Sequence, residues 1–266
     1  MAPPWPLVMG IVNVTPDSFS DGGRFATVES ALAHALRLVD EGADLVDIGG
    51  ESTRPGAESV NAKEETQRVV PLVAALRARG LGAPISIDTM KAAVARAALD
   101  AGADIVNDVS AGSHDPAMLP LCAQRGCGLI LMHMRGTPRT MQQDPRYDDV
   151  VREVHDALRG RARAAIAAGV SRNHVWIDPG FGFGKLPEHN FALVRGLADL
   201  CALGHPVVVG VSRKSSLGLI TGRAAQDRGP ESLAAELAAA LKGAAVLRTH
   251  EPGPLRRALA VARAMS

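Results

Sequence analysis

The chain has 266 residues, of which 47% are hydrophobic and 3% aromatic, and its formal net charge is +1. Balanced charge and few aromatic rings argue against a nucleic-acid-binding protein, which needs a basic surface and stacking platforms. The length suits two small domains or one α/β barrel of about 250 residues. Because no linker-like stretch interrupts the sequence, we predict a single domain over residues 1–266.

Strand-like and helix-like segments alternate along the whole chain. Short apolar runs predict strands at 7–13, 44–49, 84–88, 104–109, 128–133, 174–178, 206–211 and 245–248. Longer, often Ala-rich segments predict helices at 27–41, 61–80, 90–101, 115–125, 148–168, 188–203, 229–243 and 252–264. Eight such pairs predict a (β/α)₈ barrel. A doubly wound open sheet is the alternative, because periodicity does not show whether the sheet closes.

Five of the predicted strands run straight into a lone polar residue: Asn13, Asp88, Asn107, Asp178 and Arg248. A polar residue at the end of a buried strand needs a partner. Because the carboxyl ends of parallel strands converge at one face of a barrel, these side chains are expected to share one pocket.

Asp88, Asn107 and Asp178 carry most of the functional information. Two carboxylates and an amide can donate to and accept from a planar, amidine-like heterocycle. A divalent metal site and a general acid–base pair are the alternatives. Metal-binding carboxylates usually lie close together, so their origin on the third, fourth and sixth strands favours recognition around a ring.

Long strand-to-helix loops at 14–26, 50–60 and 134–147 mark the predicted active-site face. In the second loop, Thr53 and Arg54 offer a hydroxyl and a guanidinium that suit phosphate. The loop after the sixth strand alternates Gly and Phe and ends at Lys185, but it lacks the spacing of a Walker A loop. Its rings, Phe181 and Phe183, are expected to line either a pocket or the core.

The loops after the seventh and eighth strands are rich in cationic and hydroxyl groups, through Ser212, Lys214, Arg248 and His250. Barrel enzymes often bind phosphate with these two loops. A nucleophilic pair of Ser212 and Lys214 is a weaker interpretation, because nothing else in the sequence indicates acyl transfer. Lysine is scarce in the chain, yet Lys185 and Lys214 both lie in the glycine- or serine-rich loops that follow predicted strands.

Taken together and in order, these motifs resemble those of the bacterial dihydropteroate synthases over nearly the full length. The matching runs are 13–23, 49–56, 133–134, 136–141, 178–185 and 212–215. Glu251 stands where most family sequences have Asp. The resemblance implies a transferase of folate biosynthesis. Such an enzyme condenses 6-hydroxymethyl-7,8-dihydropterin pyrophosphate with 4-aminobenzoate, in an SN1-like reaction that sulfonamides inhibit.

The resemblance also implies roles for individual residues, and Mg²⁺ as a cofactor bound at Asn13. The implied catalytic set is Asp178, Lys214, Arg248, Arg54 and His250. The implied pterin site is Asp88, Asn107, Met132, Asp178, Lys214 and Arg248. The implied pyrophosphate site is Asn13, Thr53, Arg54, Arg248 and His250. The implied 4-aminobenzoate site is Phe19, Pro55, Phe183, Ser212 and Lys214.

Two related functions compete with this interpretation. One is a pterin barrel that transfers methyl groups from a methylated folate to a corrinoid, and the other is a non-catalytic pterin-binding paralogue. The methyl-transferring barrel needs neither the Thr53–Arg54 loop nor the run at 212–215, and the paralogue would have lost loop residues that are complete here. A third rival, an unrelated phosphate-binding barrel enzyme, would explain the ends of the seventh and eighth strands but not Asp88, Asn107 and Asp178.

The remaining features predict the cellular location and the partners of the protein. The first residues lack the basic and apolar segments of a secretory leader, and no run approaches the roughly 18 apolar residues of a membrane span. Cys122, Cys127 and Cys201 have no metal-type spacing and are expected to be reduced thiols. We therefore expect a cytoplasmic protein without membrane or nucleic-acid partners. The family resemblance and the general frequency of two-fold pairs imply a homodimer.

Overall fold

The computed structural model describes residues 5–14, 23–53 and 56–265, with the backbone alone for 23–27. Its strands form one parallel sheet in the order β6-β5-β4-β3-β2-β1-β8-β7. The strands are β1 (Leu7–Asn13), β2 (Leu45–Gly49), β3 (Ile85–Asp88), β4 (Ile105–Asp108), β5 (Gly128–Met132), β6 (Val175–Asp178), β7 (Val208–Val209) and β8 (Val246–Thr249).

The two ends of this sheet meet, and the sheet therefore closes into a barrel. Ile177 in β6 forms a parallel bridge with Val207, just before β7. The Ile177 amide donates to the Pro206 carbonyl at 3.0 Å. The (β/α)₈ prediction is confirmed, and the open doubly wound sheet is excluded. The seventh strand is shorter than the predicted 206–211.

Helices follow the strands and cover the outside of the barrel. They are α1 (Gly23–Asp40), α2 (Ala62–Ala78), α3 (Ala92–Asp100), α4 (Met118–Arg125), α5 (Val150–Ala167), α6 (Pro187–Arg195), α7 (Leu197–Cys201), α8 (Ser215–Thr221), α9 (Gly229–Leu241) and α10 (Pro252–Ala264). Short 3₁₀ turns lie at Arg172–His174 and Ala225–Asp227. No described helix is long and apolar enough to cross a bilayer.

Two helix predictions were wrong. The single helix predicted over 188–203 is divided at Gly196, where a Cβ atom would lie 2.8 Å from Val151 Cγ1 of α5. The chain therefore packs closely against α5 at this glycine, where the helix is interrupted. The sequence analysis also missed α8, because its first residues, Ser215 and Ser216, belong to a motif that was interpreted as a loop.

An apolar cluster fills the barrel interior near the amino-terminal ends of the strands. Alternate residues of a strand face the same side of the sheet, so one set of every second residue lines the interior. We call its buried apolar members the floor cluster: Met9, Leu45, Ile105, Ile130, Val208 and Val246, with Trp176 packed against them. The floor cluster closes the amino-terminal end of the barrel, and the polar residues lie above it.

Candidate functional site

Four polar residues of the barrel each lie two positions after an apolar residue of the floor cluster or packed against it. Asp47 follows Leu45 in this way, and Asn107 follows Ile105. Asp178 likewise follows Trp176, and Arg248 follows Val246. Since side chains two apart on a strand share a face, all four point into the barrel. Strand alternation thus builds a polar layer directly on an apolar floor.

Asp47 is the centre of the hydrogen bonds in this layer. Its Oδ2 accepts from Asn107 Nδ2 at 3.1 Å and from Arg248 Nε at 2.6 Å. Arg248 also reaches Asp88, with Nη2 donating to Oδ2 at 3.0 Å. The other Asp47 oxygen, Oδ1, is buried and has no hydrogen-bond partner among the residues that the structure describes. The positive charge of the Arg248 guanidinium therefore offsets the charges of two carboxylates, Asp47 and Asp88. The Asp47 Oδ1 atom can still accept a hydrogen bond.

Burial changes the protonation of the carboxyl groups. It raises the pKa of Asp88 to about 7, an effect to which the neighbouring Asp47 charge adds and which Arg248 opposes. Burial also raises the pKa of Asp178, against the hydrogen bond from the Gly180 amide and the charge of Lys214. With its pKa near 7, the Asp88 carboxyl group can serve either as an acceptor from a ring nitrogen or as a donor to one.

These side chains line one pocket with an aromatic wall. Lys214 Nζ lies 4.1 Å from the ring centroid of Phe183, a cation–π contact at the side of the pocket. Together, hydrogen-bonding groups below and a ring at the side suit a flat, nitrogen-rich ligand. The pocket is lined by Asp88, Asn107, Val109, Met132, Asp178, Phe181, Phe183, Gly210, Lys214 and Arg248.

A second polar group joins the loops after β7 and β8. Ser212 Oγ lies 2.9 Å from His250 Nδ1 and also accepts from the His250 backbone amide at 3.3 Å. Arg213 pairs with Glu251 at 3.5 Å between the same loops. The backbone of Arg213 is left-handed, with φ of 59°, and its amide donates to Ser232 Oγ of α9 at 2.8 Å. Helix α9 therefore supports the loop that carries Ser212 and Lys214.

The loop after β2 is anchored by a buried ion-pair triad. Lys91 Nζ lies 2.6 Å from Glu65 Oε2 and also contacts Glu51, at the start of the loop. The remaining Glu51 oxygen accepts from the Val60 amide at 3.0 Å, near the other end of the loop. The triad therefore holds both ends of the segment that contains Thr53.

Comparisons with known proteins agree with this geometry. Residues 9–250 match the family model described as pterin binding enzyme. A dihydropteroate synthase of Neisseria meningitidis serogroup C is 49% identical over 250 residues, covering 92% of this chain and 88% of the relative. The chain belongs to the dihydropteroate synthase family.

Solved dihydropteroate synthases share the whole fold. The Xanthomonas albilineans enzyme solved with 4-aminobenzoic acid superposes with a TM-score of 0.93 at 50% identity, covering 98% of this chain and 93% of that one. The same enzyme in complex with 7,8-dihydropteroate gives a TM-score of 0.90 at 48% identity, covering 98% and 94%. The transferase class expected from the sequence is confirmed by these relatives.

The structure brings most of the residues expected of a dihydropteroate synthase together. One pocket contains Asp88, Asn107, Met132, Asp178, Phe183, Lys214 and Arg248, and Ser212 and His250 form a pair in the adjoining loops. Asn13 ends β1 and Thr53 lies half-buried in the loop after β2, but neither lines that pocket. The predictions for Phe19, Arg54 and Pro55 fall outside the described residues.

Sequence analysis missed Asp47, a buried residue that does not line the synthase pocket but bonds to two residues that do, Asn107 and Arg248. Asp47 lies in the middle of β2, whereas the predicted site residues of the other strands lie at or near the strand ends. The signal was nevertheless present, because Asp47 is a lone carboxylate within the apolar run 45–48. Its charge at 0% exposure requires a cationic partner, and Arg248 supplies it.

Proposed function

We propose that this protein condenses 6-hydroxymethyl-7,8-dihydropterin pyrophosphate with 4-aminobenzoate to give 7,8-dihydropteroate and pyrophosphate. The pocket above the floor cluster carries this proposal. Asp88, Asn107 and Asp178 offer donors and acceptors around the pocket, which matches the amino group and ring nitrogens of a pterin. Arg248 would stack on the pterin face, with Met132 as an apolar contact.

The proposed reaction is SN1-like, with the pterin bound first. When pyrophosphate departs, the bond electrons leave with it and positive charge develops on the exocyclic methylene, which the electron-rich pterin stabilises. The carboxylate of Asp178, fixed by the Gly180 amide at 2.7 Å, would stabilise this cation electrostatically. The arylamine nitrogen then attacks the methylene and loses a proton, so no protein nucleophile is required.

The leaving pyrophosphate would be bound by His250 and Arg248, together with Asn13, Thr53 and Arg54 as the family resemblance implies. Asn13 presents an amide oxygen at the carboxyl end of β1, half-buried. This suits Mg²⁺, which commonly takes one or two protein oxygens and fills its other positions with phosphate and water. When bound there, Mg²⁺ would neutralise charge on the pyrophosphate.

The 4-aminobenzoate site would lie beside the pterin, against Phe183 and Lys214. Ser212 would contact the carboxylate of this substrate, and Phe19 and Pro55 would complete the site as the resemblance implies. Sulfonamides have the same para-substituted aniline shape, and we propose that they compete for these contacts.

We also propose that the protein is a cytoplasmic homodimer. Cys122, Cys127 and Cys201 are free thiols, as is usual in reducing compartments. Two adjacent helices, α8 and α9, expose apolar side chains: Leu219 is 72%, Ile220 67% and Leu241 65% exposed. Symmetric pairing of two copies would cover such residues. Sedimentation equilibrium of the wild type and of Ile220→Glu tests this arrangement.

The decisive assay is pyrophosphate release from dihydropterin pyrophosphate and Mg²⁺, measured with and without 4-aminobenzoate. Release that depends on 4-aminobenzoate, with dihydropteroate identified by mass spectrometry, is the expected result. Tight pterin binding without release would instead favour the paralogue or the methyl-transferring barrel. A positional isotope experiment tests whether the cation forms. Substrate with a labelled bridging oxygen is incubated with the enzyme in the absence of 4-aminobenzoate, and movement of the label to nonbridging positions is the expected result.

A further inference from the structure

Lys185 is a buried lysine for which the proposed reaction has no role. Its side chain is only 3% exposed, and burial lowers its pKa to about 7. The ammonium Nζ lies 2.9 Å from the carbonyl of Phe183, 3.0 Å from that of Gly180 and 3.2 Å from that of His133. The ammonium form has three protons to donate, and these three carbonyl groups share them with a fourth acceptor, the His133 ring nitrogen.

The imidazole of His133 completes this arrangement. Its Nδ1 lies 3.0 Å from Lys185 Nζ. Burial and the charge of Lys185 lower the pKa of His133 to about 3, so the ring is neutral and can accept at Nδ1. Lys185 therefore bonds both to the loop after β6 and to the residue that follows β5.

The two segments joined by Lys185 lie unusually close. A Cβ atom at Gly180 would lie 1.9 Å from the His133 carbonyl oxygen, and one at Gly184 would lie 2.5 Å from that of Arg135. Both glycines have left-handed backbones, with φ of 68° and 63°. Residues 179–184 therefore lie directly on the chain after β5, and the buried ammonium holds them there.

This loop carries parts of both proposed substrate sites. The Gly180 amide donates to Asp178 Oδ1 at 2.7 Å and fixes the carboxylate beside the pterin. Three residues later, the Phe183 ring lies under Lys214 and forms the proposed arylamine wall. The Phe183 amide donates to the Gly180 carbonyl at 3.0 Å, and the Lys185 ammonium binds the carbonyl groups of both residues, so it reinforces this turn and holds it against the chain after β5.

We propose that Lys185 is a positioning residue, whose buried ammonium sets Asp178 and Phe183 in one fixed geometry and thereby couples pterin binding to arylamine binding. This inference rests on the proposed function. It assigns no chemical step to Lys185, which contacts backbone and His133 and not the reacting atoms.

The test uses Lys185→Met, which is one atom shorter and removes the charge and the donors, and Lys185→Ala, which leaves space for an added amine. For both folded variants we expect kcat to fall about 100-fold, as for a misplacement of about 1 Å, and KM for 4-aminobenzoate to rise. Propylammonium chloride should restore much of the kcat of Lys185→Ala, whereas sodium chloride at equal ionic strength should not. Lys63→Met, at an exposed position of α2, is the matched control and should behave as wild type.

Three results would overturn the proposal: wild-type kinetics in Lys185→Met, absence of rescue in folded Lys185→Ala, or rescue by sodium chloride alone. If Lys185→Met does not fold, Lys185→Ala is folded with propylammonium and the amine is then dialysed away. Activity must fall before the circular dichroism signal changes, and simultaneous loss would show a purely structural role. If the wild type makes no dihydropteroate, the proposed function fails separately, and calorimetry of dihydropterin pyrophosphate binding to the same variants still tests whether Lys185 positions Asp178.

Discussion

Arg248 and Asp47 are 201 positions apart in the sequence, yet Nε of the arginine donates to Oδ2 of the aspartate at 2.6 Å. The same Asp47 oxygen accepts from Asn107, and the same guanidinium reaches Asp88. The orientation of the Arg248 side chain and the pKa of Asp88 therefore both depend on the charge of Asp47. Of these four residues, Asp47 is the one to which the resemblance assigned no role.

Asp47→Asn tests the charge of Asp47 without changing the shape of its side chain. The amide keeps the volume but removes the anion that holds Arg248, and it also removes a charge that raises the pKa of Asp88. We expect kcat/KM for dihydropterin pyrophosphate to fall roughly 10- to 100-fold, as is usual for partners that orient a binding group. Steady-state kinetics measure the effect, with Asp100→Asn as a control, since Asp100 pairs with Arg125 near the surface. Unchanged kinetics would show that Arg248 does not need Asp47.

Asp178→Asn should reduce turnover much more than binding. Loss of the carboxylate removes the negative charge beside the developing cation, so we expect kcat to fall by at least about 100-fold. Rapid-quench single-turnover measurements would isolate the bond-breaking step. Asp199→Asn, at an exposed position of α7, should leave that rate unchanged. A kcat within a factor of three of the wild type would refute the electrostatic role of Asp178.

The barrel and most of its pocket could be predicted because strand alternation is a local property. The polar residues Asp88, Asn107 and Asp178, at or next to the carboxyl ends of β3, β4 and β6, identified the face of the barrel and the kind of ligand. The division at Gly196 could not be predicted, since it depends on packing against α5, an element distant in sequence. Helix α8 was missed for a different reason, because the motif that begins it was interpreted as a loop. The same holds for Lys185, because its carbonyl partner at His133 is 52 positions away.

Lys91→Met should destabilise the protein by leaving Glu65 buried and unpaired. The Glu65 side chain is fully buried and Lys91 is only 16% exposed, so the pair is largely shielded from water. Breaking a buried pair in this way costs about 3–5 kcal/mol. We expect a loss of that order in the free energy of unfolding, measured in urea, and a higher KM for the pyrophosphate-bearing substrate because the Thr53 loop loses its anchor.

The double variant Lys91→Met/Glu65→Leu should regain part of that stability, since it removes the orphaned charge, but it should not restore KM. This double-mutant cycle distinguishes the cost of an unpaired carboxylate from the loss of the loop anchor. Recovery of both properties would show that the loop does not depend on the triad.

Glu236 should make the stability of the protein fall as the pH rises. This residue of α9 is 2% exposed, and burial raises its pKa from 4.5 to about 8, although a hydrogen bond with Thr249 opposes the change. The folded protein therefore keeps a proton that the unfolded chain releases between pH 4.5 and 8. Its favourable contribution is complete below pH 4.5 and is lost as the pH rises towards 8.

Glu236→Gln tests this, because the amide resembles the protonated acid and does not titrate. Between pH 5 and 8, the free energy of unfolding of the wild type should fall relative to that of the variant, by on the order of a few kcal/mol. Urea titrations at each pH measure the difference, and Glu188→Gln, at an exposed position of α6, controls for a general effect of charge removal. Parallel pH profiles for the wild type and Glu236→Gln would mean that Glu236 is ionised in the fold. Its charge would then need compensation beyond Thr249, because its Oε1 atom has no hydrogen-bond partner within the described part of the chain.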